Sequence, residues 1–150
     1  MSRLSTLIAI ICISILGSLA AQAQMTSRVF HADLSALNQT RLTESPATGT
    51  ADLELDLTTL TLSWEVHFKD LMSKPTAASL HGPVQPGANG LPFVDLAPEG
   101  IVSPLRGSAT LTEAEVQYLL AGWTYVEIKT ERWPFGEARG QVDVGPRETD

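Results

Sequence analysis

From Ala51 to Phe68 the chain alternates almost without a break. Ala51, Leu53, Leu55 and Leu57 are interleaved with Asp52, Glu54 and Asp56. Beyond Thr58 and Thr59, the residues Leu60, Leu62, Trp64, Val66 and Phe68 are interleaved with Thr61, Ser63, Glu65 and His67. A period of two excludes a helix, around which these apolar residues would spread over the whole circumference. It fits two antiparallel strands with one apolar and one polar face. Such a sheet must bury its apolar face against more of the same chain, so this stretch sets the class of fold.

A second hairpin runs from Tyr125 to Val142. Val126 and Ile128 share one face of its first strand, and Tyr125, Glu127 and Lys129 share the other. After a tight connection with Trp133, Pro134 and Gly136, the inner face continues through Ala138, Gly140, Val142 and Val144. Glu137, Arg139, Gln141 and Asp143 point outward. Keeping both apolar sets inward pairs odd positions with odd, Glu127 with Arg139 and Lys129 with Glu137. Each pair joins opposite charges, which predicts an outer cross-strand ladder contributing about 0.2–1 kcal/mol per pair. Gly140, opposite Val126, leaves room that a side chain would overfill.

Shorter elements fill the remainder. Arg28 to Leu34 alternates, with Phe30, Ala32 and Leu34 on one face, and Ser35 to Thr48 reads as a surface loop. Ala77 to His81 is a short strand ended by Gly82-Pro83, followed by a Pro-, Gly- and Asn-rich loop over Gln85 to Gly90 and a strand over Leu91 to Leu96. Ile101 to Leu111 is extended but interrupted by Pro104 and Gly107, which suits an edge strand or an irregular connection. One helix is signalled near 112–121. Thr112 and Glu115 form a capping box, Val116, Leu119 and Leu120 follow at helical spacing, and Gly122 stands where a C′ glycine belongs. The whole predicts a mainly β fold, an antiparallel sandwich or Greek-key barrel of about seven to eight strands with one short helix.

The first 23 residues read as an export signal rather than as part of that domain. Arg3 supplies a positive start, Leu7 to Leu16 an apolar run, and Ala21-Gln22-Ala23 the small-x-small form of a signal-peptidase site. The run is shorter than the ~20 residues of a membrane span. Cleavage is predicted after Ala23, leaving residues 24–150 as one domain with its core over about 28–144 and no transmembrane segment. Cys12, the only cysteine, lies in the signal, so the mature chain has no disulfide and no thiolate site. Loss of Arg3 takes the formal charge from −7 to −8. An acidic surface without a basic stripe argues against nucleic-acid binding. The expected location is the periplasm or the secreted space. The tail from Gly145 to Asp150 is polar and expected to fray.

Three stretches, taken in order, resemble the CHRD (chordin) domain family: the glycine and long hairpin of Gly49 to Phe68, Ala78-Ser79-Leu80-His81-Gly82-Pro83, and the hairpin from Tyr125 with Gly136-Glu137-Ala138-Arg139-Gly140-Gln141. The last is the most specific. The resemblance spans Arg28 to Val144. It implies an extracytoplasmic β-rich module without an assigned catalytic activity. The family pattern also offers up to three histidines, two of them spaced i, i+2 on one strand face, as a Cu or Zn site requires. Here only His81 remains, with Ser79 at the first position and Lys129 at the third.

One imidazole does not make a metal site, and His31 and His67 sit on separate strands. His81 is therefore expected to hydrogen-bond backbone near the Gly82-Pro83 turn. Trp123 is expected in the core after the helix, and Trp133 as an exposed contact residue. No Ser-His-Asp order, phosphate loop or His-Glu-x-x-His occurs. The sequence thus predicts a non-enzymatic module with no cofactor, which binds a protein, a polysaccharide or an envelope component. Its family-motif and contact residues are His81, Gly82, Pro83, Glu127, Lys129, Trp133, Gly136, Glu137, Arg139 and Gly140. The alternative is a metal-binding or redox protein built on His81. A hydrolase using Glu127 and Glu137 is a third class.

Overall fold

A computed structural model describes residues 26–145. The expected signal segment with Cys12, and the tail beyond Gly145, lie outside the described residues. Nine strands form one antiparallel sheet: β1 (Ser27–Ser35), β2 (Thr48–Asp56), β3 (Thr61–Lys69), β4 (Pro75–Gly82), β5 (Leu91–Asp95), β6 (Leu105–Thr110), β7 (Tyr125–Thr130), β8 (Ala138–Gln141) and β9 (Asp143–Val144). The strand order is β5-β4-β7-β8-β1-β2-β3-β6, with β9 pairing β1. β5 and β6 end the path. Trp64 of β3 donates from Nε1 to the Leu96 carbonyl, one residue past β5, at 3.0 Å. The sheet therefore curls back almost to closure, the barrel alternative of the sequence reading.

The alternation is why. Phe30, Ala32 and Leu34 of β1, Ala51, Leu53 and Leu55 of β2, and Leu62, Trp64 and Val66 of β3 all point into the barrel and are buried. The β2–β3 register pairs Leu53 with Trp64 and Leu55 with Leu62, so apolar residues meet on one face. At the turn, Asp56 Oδ1 accepts from the amides of Thr58 at 2.7 Å and Thr59 at 3.1 Å. The interrupted stretch 101–111 resolves into the edge strand β6, confined to Leu105–Thr110 beyond Pro104.

The helix α1 (Glu113–Leu120) follows β6. Thr112 Oγ1 accepts from the Glu115 amide and the Glu115 carboxylate accepts from the Thr112 amide, both halves of the capping box. Gly122, at φ +70°, ends the helix in the left-handed region. Val116 and Leu119 bury against the core. Trp123 does not: it is 41% exposed. Its carbonyl, rather than its ring, faces the fold, accepting from the Val84 amide at 3.0 Å. Val144 is also exposed, against the inner position expected for it. β8 stops at Gln141, and the Val142 amide turns to the Thr124 carbonyl at 3.0 Å, which interrupts the alternation before β9.

Candidate functional site

The hairpin β7–β8 pairs as its pattern requires: Tyr125 with Gln141, Val126 with Gly140, Glu127 with Arg139 and Ile128 with Ala138. Its outward face is not solvated, however. Glu127 is 4% and Arg139 3% exposed, and Tyr125 and Glu137 are buried with them. Two loops cover this face, residues 85–90 over Tyr125 and Arg139, and residues 39–45 over Glu127 and Glu137. Alternation identified the face correctly, but it cannot tell water from a covering loop.

The expected charge ladder is accordingly absent. Arg139 donates from Nη1 to Asn89 Oδ1 at 2.9 Å and from Nη2 to the Ala88 carbonyl at 2.6 Å. Its guanidinium carbon lies 3.5 Å from the centroid of the Tyr125 ring. Glu137 does not meet Lys129. Its Oε1 accepts from Ser45 Oγ at 2.6 Å and from the Met72 amide at 2.7 Å, so it ties two loops to the start of β8. Lys129 turns instead to Glu127, with Nζ 3.7 Å from Oε2. Backbone pairing set the register while desolvation redirected the side chains, because a carboxylate or guanidinium is costly to bury without hydrogen-bond partners.

His81 on β4 joins the group. Its Nδ1 donates to the Gly90 carbonyl at 2.9 Å, and its ring stacks on Tyr125 with centroids 5.0 Å apart. A carbonyl can only accept, so Nε2 carries the lone pair, and Ser79 Oγ donates to it at 3.0 Å. The backbone bond expected for His81 exists, though its acceptor is in the 85–90 loop rather than the Gly82-Pro83 turn. Burial pushes the His81 imidazole below its ordinary value, with the Gly90 bond opposing and Lys129 and Arg139 adding to the fall. Burial pushes the Glu127 carboxyl up, with Lys129 and Arg139 holding it back. Tyr125 is also raised by burial.

Above these residues opens a cavity of about 530 Å³, within the range of small-ligand sites. Tyr125, Glu127 and Lys129 line its floor with His81, the 39–43 segment forms one wall, and the turn from Arg132 to Gly136 forms another. Gly136 sits at φ +124°, and a Cβ there would come within 2.5 Å of Glu127 Oε1 and 2.6 Å of Gln39 Nε2. A side chain at that position would push into the space between floor and wall. Trp133 is half-buried at the rim, and Phe135, which the sequence reading did not single out, is 70% exposed there. Neither the 39–43 wall nor Arg41 within it carried a sequence signal, since both belong to a loop without periodicity.

Two of the three stretches that carried the family resemblance, Ala78 to Pro83 and the hairpin from Tyr125 to Gln141, lie side by side here. The family model for the CHRD domain matches residues 30–142, most of the chain. This chain belongs to the CHRD domain family. Within this CHRD domain, the matched region runs from Phe30 in β1 to Val142, just past β8, and so contains the whole cavity floor. No curated protein and no solved structure shows a significant match to it.

The residues of this CHRD domain do not suit a transition metal at His81. Nε2 faces the Ser79 hydroxyl and, at 3.5 Å, Glu127 Oε2, while the Lys129 ammonium lies 3.7 Å from that same oxygen and would repel a cation. His31 bonds Asp33 and Asp52, each at 3.0 Å, and His67 bonds Glu65 at 2.6 Å. Among the described residues no group of three His, Cys, Asp or Glu side chains is placed so that it could hold a metal ion. Glu127 and Glu137 do not face a common substrate either, since Glu127 lines the cavity and Glu137 is turned to Ser45 and Met72. No described helix is long and apolar enough to cross a membrane.

Proposed function

We propose that this CHRD domain is a non-enzymatic, extracytoplasmic binding module whose ligand seats in the cavity above Tyr125, Glu127 and Lys129. The observation that carries the reading is the composition of the rim. Phe135 and Trp133 expose aromatic surface beside Arg41 and Arg132, in a concavity whose lining includes Gly136 of the family's most specific motif. Aromatic and arginine side chains at a concave site are the residue types that dominate binding energy. Catalysis finds less support, because the polar groups of the floor are engaged with one another and largely shielded from solvent.

Two experiments test this. Envelope polysaccharides and envelope proteins are titrated against the full-length protein and against a Trp133→Ala/Phe135→Ala variant of unchanged fold. Binding that is lost in the variant supports the reading, and binding indifferent to it moves the ligand elsewhere. For export, N-terminal sequencing of the secreted protein should begin at Gln24. A start at Met1, or a chain retained in the membrane, would count against the signal assignment.

A further inference from the structure

The charges at the cavity are unusual for this chain. The protein carries a formal charge of −7, yet Arg41, Lys129 and Arg132 all line one cavity whose single acidic residue is Glu127. Lys129 is directed at that acid. Arg41 and Arg132 are not neutralised: among the described residues neither guanidinium makes an ion pair or a side-chain hydrogen bond. Each instead lies over an aromatic ring, Arg41 at 4.6 Å from the Phe135 centroid and Arg132 at 4.8 Å from that of Trp133. Stacking holds a guanidinium in a fixed plane and leaves its N–H edge available, the arrangement suited to bidentate capture of a carboxylate.

The rest of the lining describes what carries that anion. Trp133 and Phe135 present apolar surface at the rim. Thr40 and Asn89 present a hydroxyl and an amide, groups that both donate and accept. Thr40 and Asn89 bond each other across the rim at 3.1 Å, an exposed bond that a ligand hydroxyl can replace. The floor strands β4 and β7 are already paired to each other, so little free backbone is offered to a peptide.

Resting on the reading of this cavity as the ligand site, we propose that its ligand is an acidic sugar, a carboxylated hexose unit of a polysaccharide. Its ring lies against Trp133 and Phe135, its carboxylate on Arg41 and Arg132, and its hydroxyls on Thr40 and Asn89. The protein's overall negative charge repels a long polyanion away from the cavity, so one or two units at a chain end are held.

The test is calorimetric titration of the full-length protein with trigalacturonate, with neutral maltotriose of the same length and with inorganic phosphate, at low and high salt. Saturable binding of trigalacturonate is expected, at least tenfold tighter than maltotriose and weakened by salt. It should fall about tenfold or more in an Arg41→Gln/Arg132→Gln variant whose melting temperature is unchanged. Equal binding of the neutral sugar, equal binding of phosphate, or indifference to the double substitution would overturn the proposal. If trigalacturonate fails while another envelope component still binds and is lost on Trp133→Ala/Phe135→Ala, the ligand class is wrong and the site stands. If nothing binds at the cavity, both fall.

Discussion

His81 Nε2 stands 3.5 Å from Glu127 Oε2 with its lone pair facing a carboxylate, because Nδ1 is committed to the Gly90 carbonyl at 2.9 Å. No proton belongs between them while the imidazole is neutral and the carboxylate ionised. Lys129 Nζ, 3.7 Å from the same oxygen, supplies the compensating charge. The two titratable groups are therefore shifted in opposite directions by one shared cause, burial under the loops.

Opposite shifts give opposite pH dependences. Glu127 is raised above its ordinary 4.5, so the folded protein holds that proton more tightly than the unfolded chain. Its contribution is full below 4.5 and is lost as pH rises through the raised folded value. His81 is lowered from 6.5, so its contribution is full above 6.5 and is lost as pH falls toward the lowered folded value. Urea denaturation from pH 4 to 8 should show Glu127→Gln gaining on the wild type as pH rises from 4.5. His81→Gln should lose the decline that the wild type shows below 6.5. Parallel curves for all three proteins would refute both shifts.

Arg139 was legible as an outward residue opposite Glu127, and that pairing holds in the backbone. What it bonds was not legible, since its acceptors Ala88 and Asn89 lie about fifty residues away in a loop whose sequence announces only turns. With two charge-assisted bonds and the Tyr125 stack in a buried setting, Arg139→Ala should cost roughly 3–5 kcal/mol, well above the ~1 kcal/mol of an exposed pair. Arg139→Lys should recover only part of it, because an ammonium cannot reproduce the planar stack and fork. Chemical denaturation of both variants measures this; a cost near 1 kcal/mol for alanine would mean that the loop does not hold the guanidinium.

The same contrast runs through the fold. Period-two alternation made β1, β2, β3, β7 and β8 readable, and the capping box made α1 readable, because local chemistry fixes them. Covering loops are decided by contacts across the barrel. Ser45 with Glu137, and Gly90 with His81, are pairings that no local pattern encodes. Trp123 failed for a related reason: helical spacing says that a residue follows the helix, not which of its atoms turns inward.

Glu137 offers a discriminating substitution. Only its Oε1 is engaged, by Ser45 Oγ and the Met72 amide. Glu137→Gln retains one carbonyl oxygen able to accept both bonds and should change stability by no more than about 1 kcal/mol. Glu137→Ala strips both donors of their acceptor in a buried site and should cost about 2–4 kcal/mol. It should also raise amide exchange at Met72 and at Ala47, whose amide donates to Ser45 Oγ at 3.1 Å. Equal costs for the two variants would show that charge, not the acceptor, matters there.

Gly140 was expected to be intolerant because of Val126 opposite it, and the obstacle proves to be different. A Cβ at Gly140 would lie 2.6 Å from the Asp33 carbonyl oxygen and 2.9 Å from its carbon, both backbone atoms of β1. A flexible side chain could yield, but the β1 backbone is held by its nine-residue pairing with β2. Even Gly140→Ala should therefore destabilise by about 1–3 kcal/mol, and Gly140→Val by more, through displacement of β8 from β1. The accompanying loss should fall on the Asn38 side chain, whose Nδ2 donates to the Asp33 carbonyl at 3.1 Å and the Arg139 carbonyl at 3.0 Å across that seam. Denaturation of Gly140→Ala, with amide exchange on β1 and β8, checks both parts. A neutral alanine would mean that β8 sits farther from β1 than the close approach of Gly140 to Asp33 requires.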